Sequence, residues 1–355
     1  MKEWEGFRVL DATICKEYEA WLELWREWPD QEPFGHPSYP GLFAQQNDNV
    51  VCAAWRSNKG GVIFPLIKRP LGIEPWVRLD NRADLTSPYG YGGAFFWGVV
   101  DEKSYWNAFE AWAKKAGVVT CFLRLSLWPE QILEPPRGIE TISLNIAINL
   151  KPGLEAVWRG YKHKVRKNVN RALRDGLKTE IDYNGDKLSE FLEVYYRTMQ
   201  RRKAEERYFF QESFFHNLCV SMPECFVFLH TLAKGRVVSS ELVLVSKFYV
   251  YSFLGGTLEQ WFESRPNDLL KHRIVEWAYN QGKAAFVLGG GYKENDGIFN
   301  YKRGFAPQGT IPFRVCKMIL DETGYSELIE TRRNYEERKG IYWLPANNYF
   351  PAYRS

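Results

Sequence analysis

A lysine near the C-terminal end lies in the segment best suited to chemistry. Three glycines, Gly289–Gly291, follow an apolar run that predicts a strand from Ala284 to Leu288. Glycine lets a backbone turn sharply or approach a ligand closely, because it has no Cβ. The side chains of Asp296–Phe305 alternate with the period of an extended strand or loop. Lys302 then stands between aromatic neighbours, where its ammonium can bind a phosphate or stabilise an oxyanion. The alternative is a turn and an edge strand with a solvated Lys302–Arg303 pair.

A second candidate is the segment Asp84–Gly93, which is rich in glycine and tyrosine and has no regular period. We interpret it as a loop whose Tyr89 and Tyr91 can wall a pocket with flat aromatic faces. A packed surface loop with structural tyrosines explains the same composition.

The densest positive charge lies on a predicted helix, Leu154–Leu173, whose apolar residues are spaced by four. Asp175 offsets this charge at the end, and Asp175–Gly176 is a helix stop signal. A basic face this one-sided favours a polyanionic partner, although a solvated surface is the common alternative. The basic residues are Arg159, Lys162, Lys164, Arg166, Lys167, Arg171 and Arg174.

A glycine pair before a helix is a further candidate. A strand predicted from Tyr249 to Leu254 ends at Gly255 and Gly256, and Asn267 is placed to cap the helix predicted from Leu269 to Gln281. Strand, glycine pair and helix N-terminus form a layout that can hold a pyrophosphate or phosphate.

Composition excludes several classes of protein. The chain has 355 residues, a net charge of +4 and 25% charged residues, which is typical of a folded globular protein. Its six cysteines form no C-x-x-C pair, its five histidines lack metal-ligand spacing, and P-loop and dinucleotide fingerprints are absent. We therefore expect no metal and buried free thiols. We also expect no signal peptide, no stable membrane insertion and a cytoplasmic location.

The elements that carry these residues fall into two halves with a similar order of strands, helices and glycine loops. The pattern changes near Leu150–Gly153, so we predict a first domain over residues 1–150 and a second over 151–317. The first opens with a predicted hairpin, Val50–Trp55 and Val62–Ile67. A charged helix, Glu322–Arg338, follows the second domain.

Four stretches in the same order resemble FemAB-like (FemABX) proteins. These are the peptidoglycan-bridge aminoacyltransferases of the GNAT superfamily. The stretches read PLIKRPLG with LTSPYGYGG, YKHKVRKNVNRALRDGL, YSFLGGT with SRPNDLLKHRIVEWAYNQG, and LGGG with DGIFNYKRGF. The resemblance implies an α/β (α+β) fold of two tandem GNAT-like domains, each a mixed, mostly antiparallel sheet flanked by helices. It also implies that the C-terminal part, residues 318–355, packs back on the first domain.

The resemblance assigns roles to most of the candidates. It implies direct transfer of an acyl group to an amine, with Lys302 at the acyl centre and Arg303 as a supporting cation. Asp296 is a candidate to accept a proton or hold the incoming ammonium. The other expected roles are pocket walls (Tyr251, Tyr301), an acceptor cleft between the domains (Tyr89, Tyr91, Lys164, Arg166) and the donor site (Gly255, Gly256, Asn267).

The donor stays open between two chemistries. Bridge-forming members of this family use aminoacyl-tRNA and acylate an amine of a cell-wall precursor, whereas other GNAT proteins use acyl-CoA. The GNAT pyrophosphate signature, Arg or Gln followed by x-x-Gly-x-Gly/Ala, is missing between Gly255 and Leu269. The expected partners are therefore tRNA or a nucleotide-linked precursor, with no tightly bound cofactor. The alternatives are a CoA-dependent N-acyltransferase acting on an amino sugar of a surface polysaccharide, and a non-catalytic binding module.

Overall fold

Apolar strands and amphipathic helices build two units. The computed structural model describes residues 4–77, 80–291, 296–347 and 349–355. The first unit consists of Met1–Ile142 and Phe313–Ser355, and the second consists of Ser143–Pro312.

The regular elements are named in chain order. The strands are β1 (Gly6–Asp11), β2 (Asn49–Ser57), β3 (Gly60–Ile63), β4 (Pro65–Pro70), β5 (Ala83–Thr86), β6 (Ala94–Gly98), β7 (Val118–Arg124), β8 (Ile132–Leu133), β9 (Ile139–Asn149), β10 (Lys178–Asp182), β11 (Phe226–Ala233), β12 (Arg236–Val245), β13 (Tyr249–Thr257), β14 (Ala285–Gly289) and β15 (Thr310–Ile319). The helices are α1 (Cys15–Glu27), α2 (Ser38–Gly41), α3 (Glu102–Lys115), α4 (Leu154–Gly160), α5 (His163–Arg174), α6 (Leu188–Arg202), α7 (Glu212–Ser221), α8 (Pro266–Asn280), α9 (Gly297–Arg303) and α10 (Glu322–Glu337).

In the first unit, β8, β6, β3, β2, β4, β5, β7 and β15 follow one another in the sheet, and β1 pairs with β2. Among the described residues, these strands pair in antiparallel fashion, except that β5 and β7 are parallel. Helix α10 belongs to this unit, where Leu328 packs with Leu71, Trp76 and Tyr353. Burying such large side chains stabilises each by about 1.5–3 kcal/mol.

In the second unit, β10 to β14 follow one another in the sheet, and the end of β9 pairs with β14. Strands β13 and β14 are parallel and pair over three residues, from Tyr249 to Tyr251 and from Ala285 to Val287, whereas the other strand pairings of this unit's described residues are antiparallel. Helices α4, α5 and α8 contribute apolar residues to the core of this unit. The mixed, mostly antiparallel sheets with flanking helices confirm the predicted α/β (α+β) class.

Two local predictions for this unit are wrong. The single helix expected over Leu154–Leu173 is two helices, because the backbone is extended at Tyr161 and α5 begins only at His163. Gly255 and Gly256 do not end a strand but lie within β13, paired with Glu241 and Ser240 of β12.

Close packing explains why glycine is needed at those two positions of β13. A Cβ at Gly255 would lie 2.6 Å from the Ser240 carbonyl oxygen, and one at Gly256 would lie 2.3 Å from Thr198 Oγ1 of α6. The glycines therefore let neighbouring backbone and α6 approach the strand. In the described part of the chain, no helix is both long and apolar enough to cross a membrane.

Candidate functional site

Lys302 lies in a short helix and not in the extended segment that the alternating pattern predicted. Helix α9 forms because Asp296 is an N-cap, its side chain accepting a hydrogen bond of 2.7 Å from the Phe299 N–H. Phe299 is buried below the helix, and Gly304 follows its last residue. A Cβ at Gly291 would lie 2.5 Å from the Asp296 carboxylate, so the third glycine of the run lets this cap approach.

The Lys302 side chain is largely buried and points to the end of β14. Its Nζ donates a hydrogen bond of 2.7 Å to the Gly290 carbonyl oxygen. Burial, reinforced by the nearby Lys271 cation, lowers the pKa of Lys302 to about 8, while Glu241 and Asp296 oppose that shift. At neutral pH the side chain is thus an ammonium group held where a charge is poorly solvated, which is the condition for a strong interaction with a developing anion.

A buried ion pair lies beside Lys302. Lys271 of α8 donates to Glu241 of β12 at 2.6 Å and to Ser252 Oγ of β13 at 2.8 Å. Lys271 is 6% exposed and Glu241 is 3% exposed. The Lys271 ammonium also lies 5.7 Å from the ring centroid of Phe286. Lys271 and Glu241 thus form a poorly hydrated ion pair, and both charges influence the pKa of Lys302.

The two lysines reach opposite sides of the place where the parallel strands stop pairing. Ser252, which binds Lys271, follows the last paired residue of β13, and Gly290, which binds Lys302, follows the end of β14. Where strands stop pairing, their backbone N–H and C=O groups become available to a ligand. This opening is the candidate site of the second unit.

Two residues predicted separately, Tyr301 and Asn267, are brought together. The Asn267 side-chain amide donates to Tyr301 Oη at 2.9 Å, and burial raises the pKa of that phenol well above its usual value. Tyr301 also packs against Phe305, with ring centroids 5.5 Å apart. Tyr251 is buried and is the last residue of β13 to pair with β14. These residues shape the candidate site without an ionised group of their own.

The N-terminus of α8 is poorly suited to a pyrophosphate. Arg265 adopts a left-handed conformation before the helix, and Pro266, the first helical residue, has no N–H to donate. Asp268 already places a carboxylate in the first turn, where it is buried and accepts a hydrogen bond of 3.1 Å from Asn168. Burial raises the pKa of Asp268, against the opposing effects of Asn168, Arg265 and Lys164. The Asp268 carboxylate therefore occupies the positive N-terminal end of α8, where an anionic ligand would have to bind.

Sequence comparison identifies the domain that carries this site. Residues 159–303 match the family model described as Acetyltransferase (GNAT) domain. The second unit is a GNAT-type acyltransferase domain. No curated protein matches the chain in sequence.

Solved structures extend the likeness to nearly the whole chain. FemX has a TM-score of 0.64 at 11% identity, covering 87% of this chain and 98% of its own. L-PGS from Bacillus licheniformis has a TM-score of 0.56 at 14% identity, covering 94% of this chain and 98% of its own. A conserved protein of unknown function from Bacteroides thetaiotaomicron VPI-5482 has a TM-score of 0.54 at 9% identity, covering 88% and 99%. These structures confirm the FemAB-like tandem GNAT fold predicted from the sequence. The predicted acyltransferase class is supported by the family model that matches residues 159–303.

The basic surface of this GNAT domain lies on α5. Arg166 donates to the Arg159 carbonyl oxygen at 3.0 Å and also to the Tyr161 carbonyl oxygen, so it holds the turn between α4 and α5. Lys164 is exposed, and its positive charge partly opposes the rise in the pKa of the Asp268 carboxyl that burial causes. An open groove of about 270 Å³ runs along the helix, lined by Trp158, His163, Arg166, Lys167, Asn170 and Arg174.

Arg303 is not directed to the Lys302 ammonium. Its guanidinium donates to Asn300 Oδ1 at 2.9 Å on the exposed side of α9 and lies 5.7 Å from the Phe299 ring centroid. The predicted role as a supporting cation therefore lacks a direct contact in this structure. Asp296 influences Lys302 through its charge, and its carboxylate also forms the helix cap.

The glycine–tyrosine loop of the first unit is tightly packed. Tyr91 stands edge-on to Phe34 and Phe313, with ring centroids 5.5 and 5.7 Å away, and burial raises the pKa of its phenol. The backbone carbonyl of Tyr89 accepts a hydrogen bond of 2.7 Å from Tyr39, whereas the Tyr89 ring is 43% exposed. Of the two, Tyr89 therefore has the ring that a ligand can reach, and its role in acceptor binding stays a prediction.

Sequence reasoning missed Lys271, Glu241 and Ser252. Glu241 is the one charged residue within the buried run VVSSELVL of β12. A buried charge needs a partner, so Glu241 was a signal for a buried pair, whereas Lys271 stands among other charged residues of α8. No group of three or more His, Cys, Asp or Glu side chains in the described residues is arranged to hold a metal ion.

Proposed function

We propose that this protein transfers an aminoacyl group from aminoacyl-tRNA to an amine of a cell-wall precursor, with the Lys302 ammonium stabilising the oxyanion. The observation that carries the proposal is the position of Lys302. Its Nζ is bound to the Gly290 carbonyl where β13 and β14 stop pairing, in a largely buried setting within a GNAT-type domain.

The proposed reaction needs no covalent enzyme intermediate. The acceptor amine attacks the ester carbonyl carbon, a C–N bond forms, and the bond to the ribose oxygen of the tRNA then breaks. The amine loses one proton and the ribose oxygen gains one, so the overall transfer is proton-neutral. Alignment of the two substrates can lower the barrier by about 7–11 kcal/mol. A donor to the oxyanion, here Lys302, can contribute a further 3–4 kcal/mol or so.

Two features of the second unit support an RNA-linked donor over acyl-CoA. Pro266 and the buried Asp268 make the α8 N-terminus a poor site for the pyrophosphate of CoA. The groove on α5 offers cations along one face of a helix. His163 and Arg174 are eleven residues apart, about 16 Å along the axis. The groove that these side chains line is therefore longer than one diphosphate, and its length fits several consecutive phosphates of a nucleic-acid strand.

The remaining residues have proposed roles on the same scheme. Tyr251, Tyr301 and Asn267 would form the wall near the acyl group, and Gly255 makes room for Glu241 rather than for a phosphate. Lys164 would contact the acceptor.

A reconstituted transfer assay tests the proposal. Purified protein is incubated with charged tRNA and a muropeptide carrying lysine or another diamino acid, and products are followed by mass spectrometry. We expect one added aminoacyl residue on the side-chain amine, and formation of this product slower by a factor of about 10²–10³ with Lys302→Met. Transfer that occurs only from acetyl-CoA to an amino sugar would overturn the donor assignment.

A second function, CoA-dependent N-acylation of a polysaccharide amine, is favoured by the acetyltransferase description of the matching family model. Thermal-shift measurements with CoA and with uncharged tRNA separate the two. A ligand at 100 times its Kd stabilises the folded state by about 2.7 kcal/mol. A non-catalytic module would show binding but no transfer that depends on Lys302.

A further inference from the structure

The groove along α5 joins an aromatic ring to a row of positive charges. None of its six lining residues is acidic, and its volume is about 270 Å³. Lys167 and Arg174 are exposed, whereas the Trp158 ring is partly buried. Binding of phosphates needs only the cations. The indole therefore adds a second kind of contact surface, which phosphate binding does not explain.

Trp158 is held in place by two other aromatic rings. Its ring centroid lies 4.8 Å from that of His272 and 5.7 Å from that of Tyr161. His272 Nε2 lies 3.4 Å from the Glu276 carboxylate, so the supporting ring is itself fixed. These contacts hold the indole against the core of the second unit, while another part of the ring lines the groove. A rigid aromatic surface of this kind loses little conformational entropy when a flat ligand stacks on it.

A fixed aromatic ring beside a row of cations is typical of sites that bind single-stranded nucleic acid. The cations follow the phosphates, and a base stacks on the ring. In a double-stranded RNA the bases are paired and stacked on one another, so recognition there uses the shape of the helix, its phosphates and its hydroxyl groups. An indole in the groove is therefore useful only for a strand whose bases are unpaired.

The Trp158 end of the groove lies next to α9, the helix of the proposed oxyanion donor. The N–H of Lys162, the N-cap of α5, donates a hydrogen bond of 2.8 Å to the carbonyl of Gly304, which follows α9. A Cβ at Gly304 would lie 3.0 Å from Val165 Cγ2, so the first turn of α5 packs closely on the end of α9. Arg174, at the other end of α5, lies about 16 Å further along the helix axis.

We propose that this groove binds the unpaired 3′ end of an RNA, with a base near the terminus stacked on Trp158 and the preceding phosphates along Lys167 and Arg174. The aminoacyl ester is carried by the terminal ribose, so the terminus belongs at the end of the groove beside α9 and the paired part of the RNA beyond Arg174. This inference rests on the proposed function, because it takes aminoacyl-tRNA as the donor. Its test uses uncharged RNA and measures binding alone.

The test compares two RNAs that differ only in unpaired nucleotides. One is a fluorescent hairpin with a short unpaired 3′ extension, and the other is the same hairpin with a blunt end. Fluorescence anisotropy at several salt concentrations gives the Kd of each, and wild type should bind the extended hairpin more tightly. Trp158→Leu should weaken that complex by about tenfold, because one stacked base is lost. It should leave the blunt hairpin and the salt dependence unchanged, because no phosphate contact is lost.

Three further variants distinguish stacking from packing and from charge. Trp158→Phe keeps an aromatic face and should retain most of the preference for the extended hairpin. Lys167→Glu should weaken both complexes and reduce their salt dependence, because it removes a phosphate contact. Trp261→Leu changes a tryptophan that packs against the same core outside the groove lining, and should alter neither Kd. If Trp158→Leu and Trp158→Phe behaved alike, or if Trp158→Leu weakened both complexes equally, Trp158 would be a packing residue and the proposal would be wrong.

The outcomes also separate this inference from the transfer reaction. Equal Kd values of wild type for the two hairpins would refute the base site without any variant, even if charged tRNA supported transfer. A preference for the extension that depends on Trp158, without transfer from charged tRNA, would keep the RNA site and refute the proposed reaction. If wild type bound neither hairpin, both proposals would be wrong.

Discussion

Lys302 is a cation kept in a place that disfavours cations. Among the described residues, the Gly290 carbonyl accepts a hydrogen bond from its Nζ, and the nearby Lys271 opposes its charge. Such a group gains more from a negative partner than a solvated lysine does, because less water is displaced when the partner arrives. An acyl-transfer site needs this property in the transition state and not before it.

Replacing the charge should therefore remove catalysis while leaving the fold intact. We expect Lys302→Met to reduce kcat by a factor of about 10²–10³, the typical loss for one oxyanion donor. The measurement is single-turnover transfer with circular dichroism as the folding control. Arg303→Met is the matched control, because that guanidinium contacts Asn300 and Phe299, and it should retain most activity.

The pKa of Lys302 also predicts how stability depends on pH. In the unfolded chain a lysine titrates near 10.4, so between about 8 and that value the unfolded state binds more protons. The free energy of unfolding contributed by Lys302 should therefore rise with pH across this window. Urea titrations of wild type and Lys302→Met at several pH values measure it. Relative to Lys302→Met, wild type should have its lowest free energy of unfolding below pH 8, and this deficit should shrink towards pH 10. If the free energies of the two proteins instead changed with pH in parallel, the burial of this charge would be contradicted.

At the scale of elements, α9 depends on its cap. Asp296 holds the first turn through the Phe299 N–H, and its charge also acts on Lys302. Asp296→Ala should cost about 1 kcal/mol of stability and lower kcat, because Lys302 loses its support. Asp296→Asn keeps a capping oxygen, so we expect near-normal stability and activity with a slightly lower alkaline limit. If the Asn variant were as inactive as the Ala variant, the carboxylate would have a chemical role and not only a structural one.

Helix α5 should determine RNA binding. The double variant Lys167→Glu/Arg174→Glu should weaken binding of an RNA hairpin by at least tenfold and reduce its salt dependence, because about two phosphate contacts are lost. The control is Lys114→Glu/Lys115→Glu at the end of α3, which changes the net charge equally. Fluorescence anisotropy at several salt concentrations gives both quantities. Equal losses in the two variants would indicate a general effect of charge.

The elements show where sequence reasoning succeeds. The strands of the second unit follow apolar runs, and glycines and short polar turns mark their ends, so β11 to β14 and α8 could be predicted. Helix α9 could not, since seven residues with alternating aromatics satisfy both periods, and the Asp296 cap decides between them. The sequence signals that Glu241 needs a buried partner, but not that the partner is Lys271, because thirty positions separate two residues that only the fold brings together.

At the scale of the molecule, the first unit is assembled from both ends of the chain. Asp84 of β5 is fully buried and accepts hydrogen bonds from Tyr353 Oη at 2.5 Å, Arg354 Nε at 2.5 Å and Thr120 Oγ1 at 2.7 Å. Arg354 also donates to Glu74 at 2.5 Å. The Asp84 carboxylate thus binds the C-terminal residues Tyr353 and Arg354 to β5. The sequence analysis predicted Asp84 only as part of a loop.

Removing this carboxylate should loosen the first unit selectively. Asp84→Ala leaves the partly buried Arg354 with Glu74 as its remaining carboxylate partner, and breaking one side of a buried pair costs up to about 3–5 kcal/mol. Tyr353→Phe removes one hydrogen bond from the same carboxylate and should cost about 1 kcal/mol. Because two units need not unfold together, hydrogen exchange resolved by peptide is the appropriate measurement. We expect β5 and β7 to lose protection from exchange in Asp84→Ala and to lose less of it in Tyr353→Phe. Strands β11 and β12 should keep their protection in both variants. Equal loss in β11 and β12 would mean that Asp84 stabilises the whole chain as one cooperative unit and not the first unit alone.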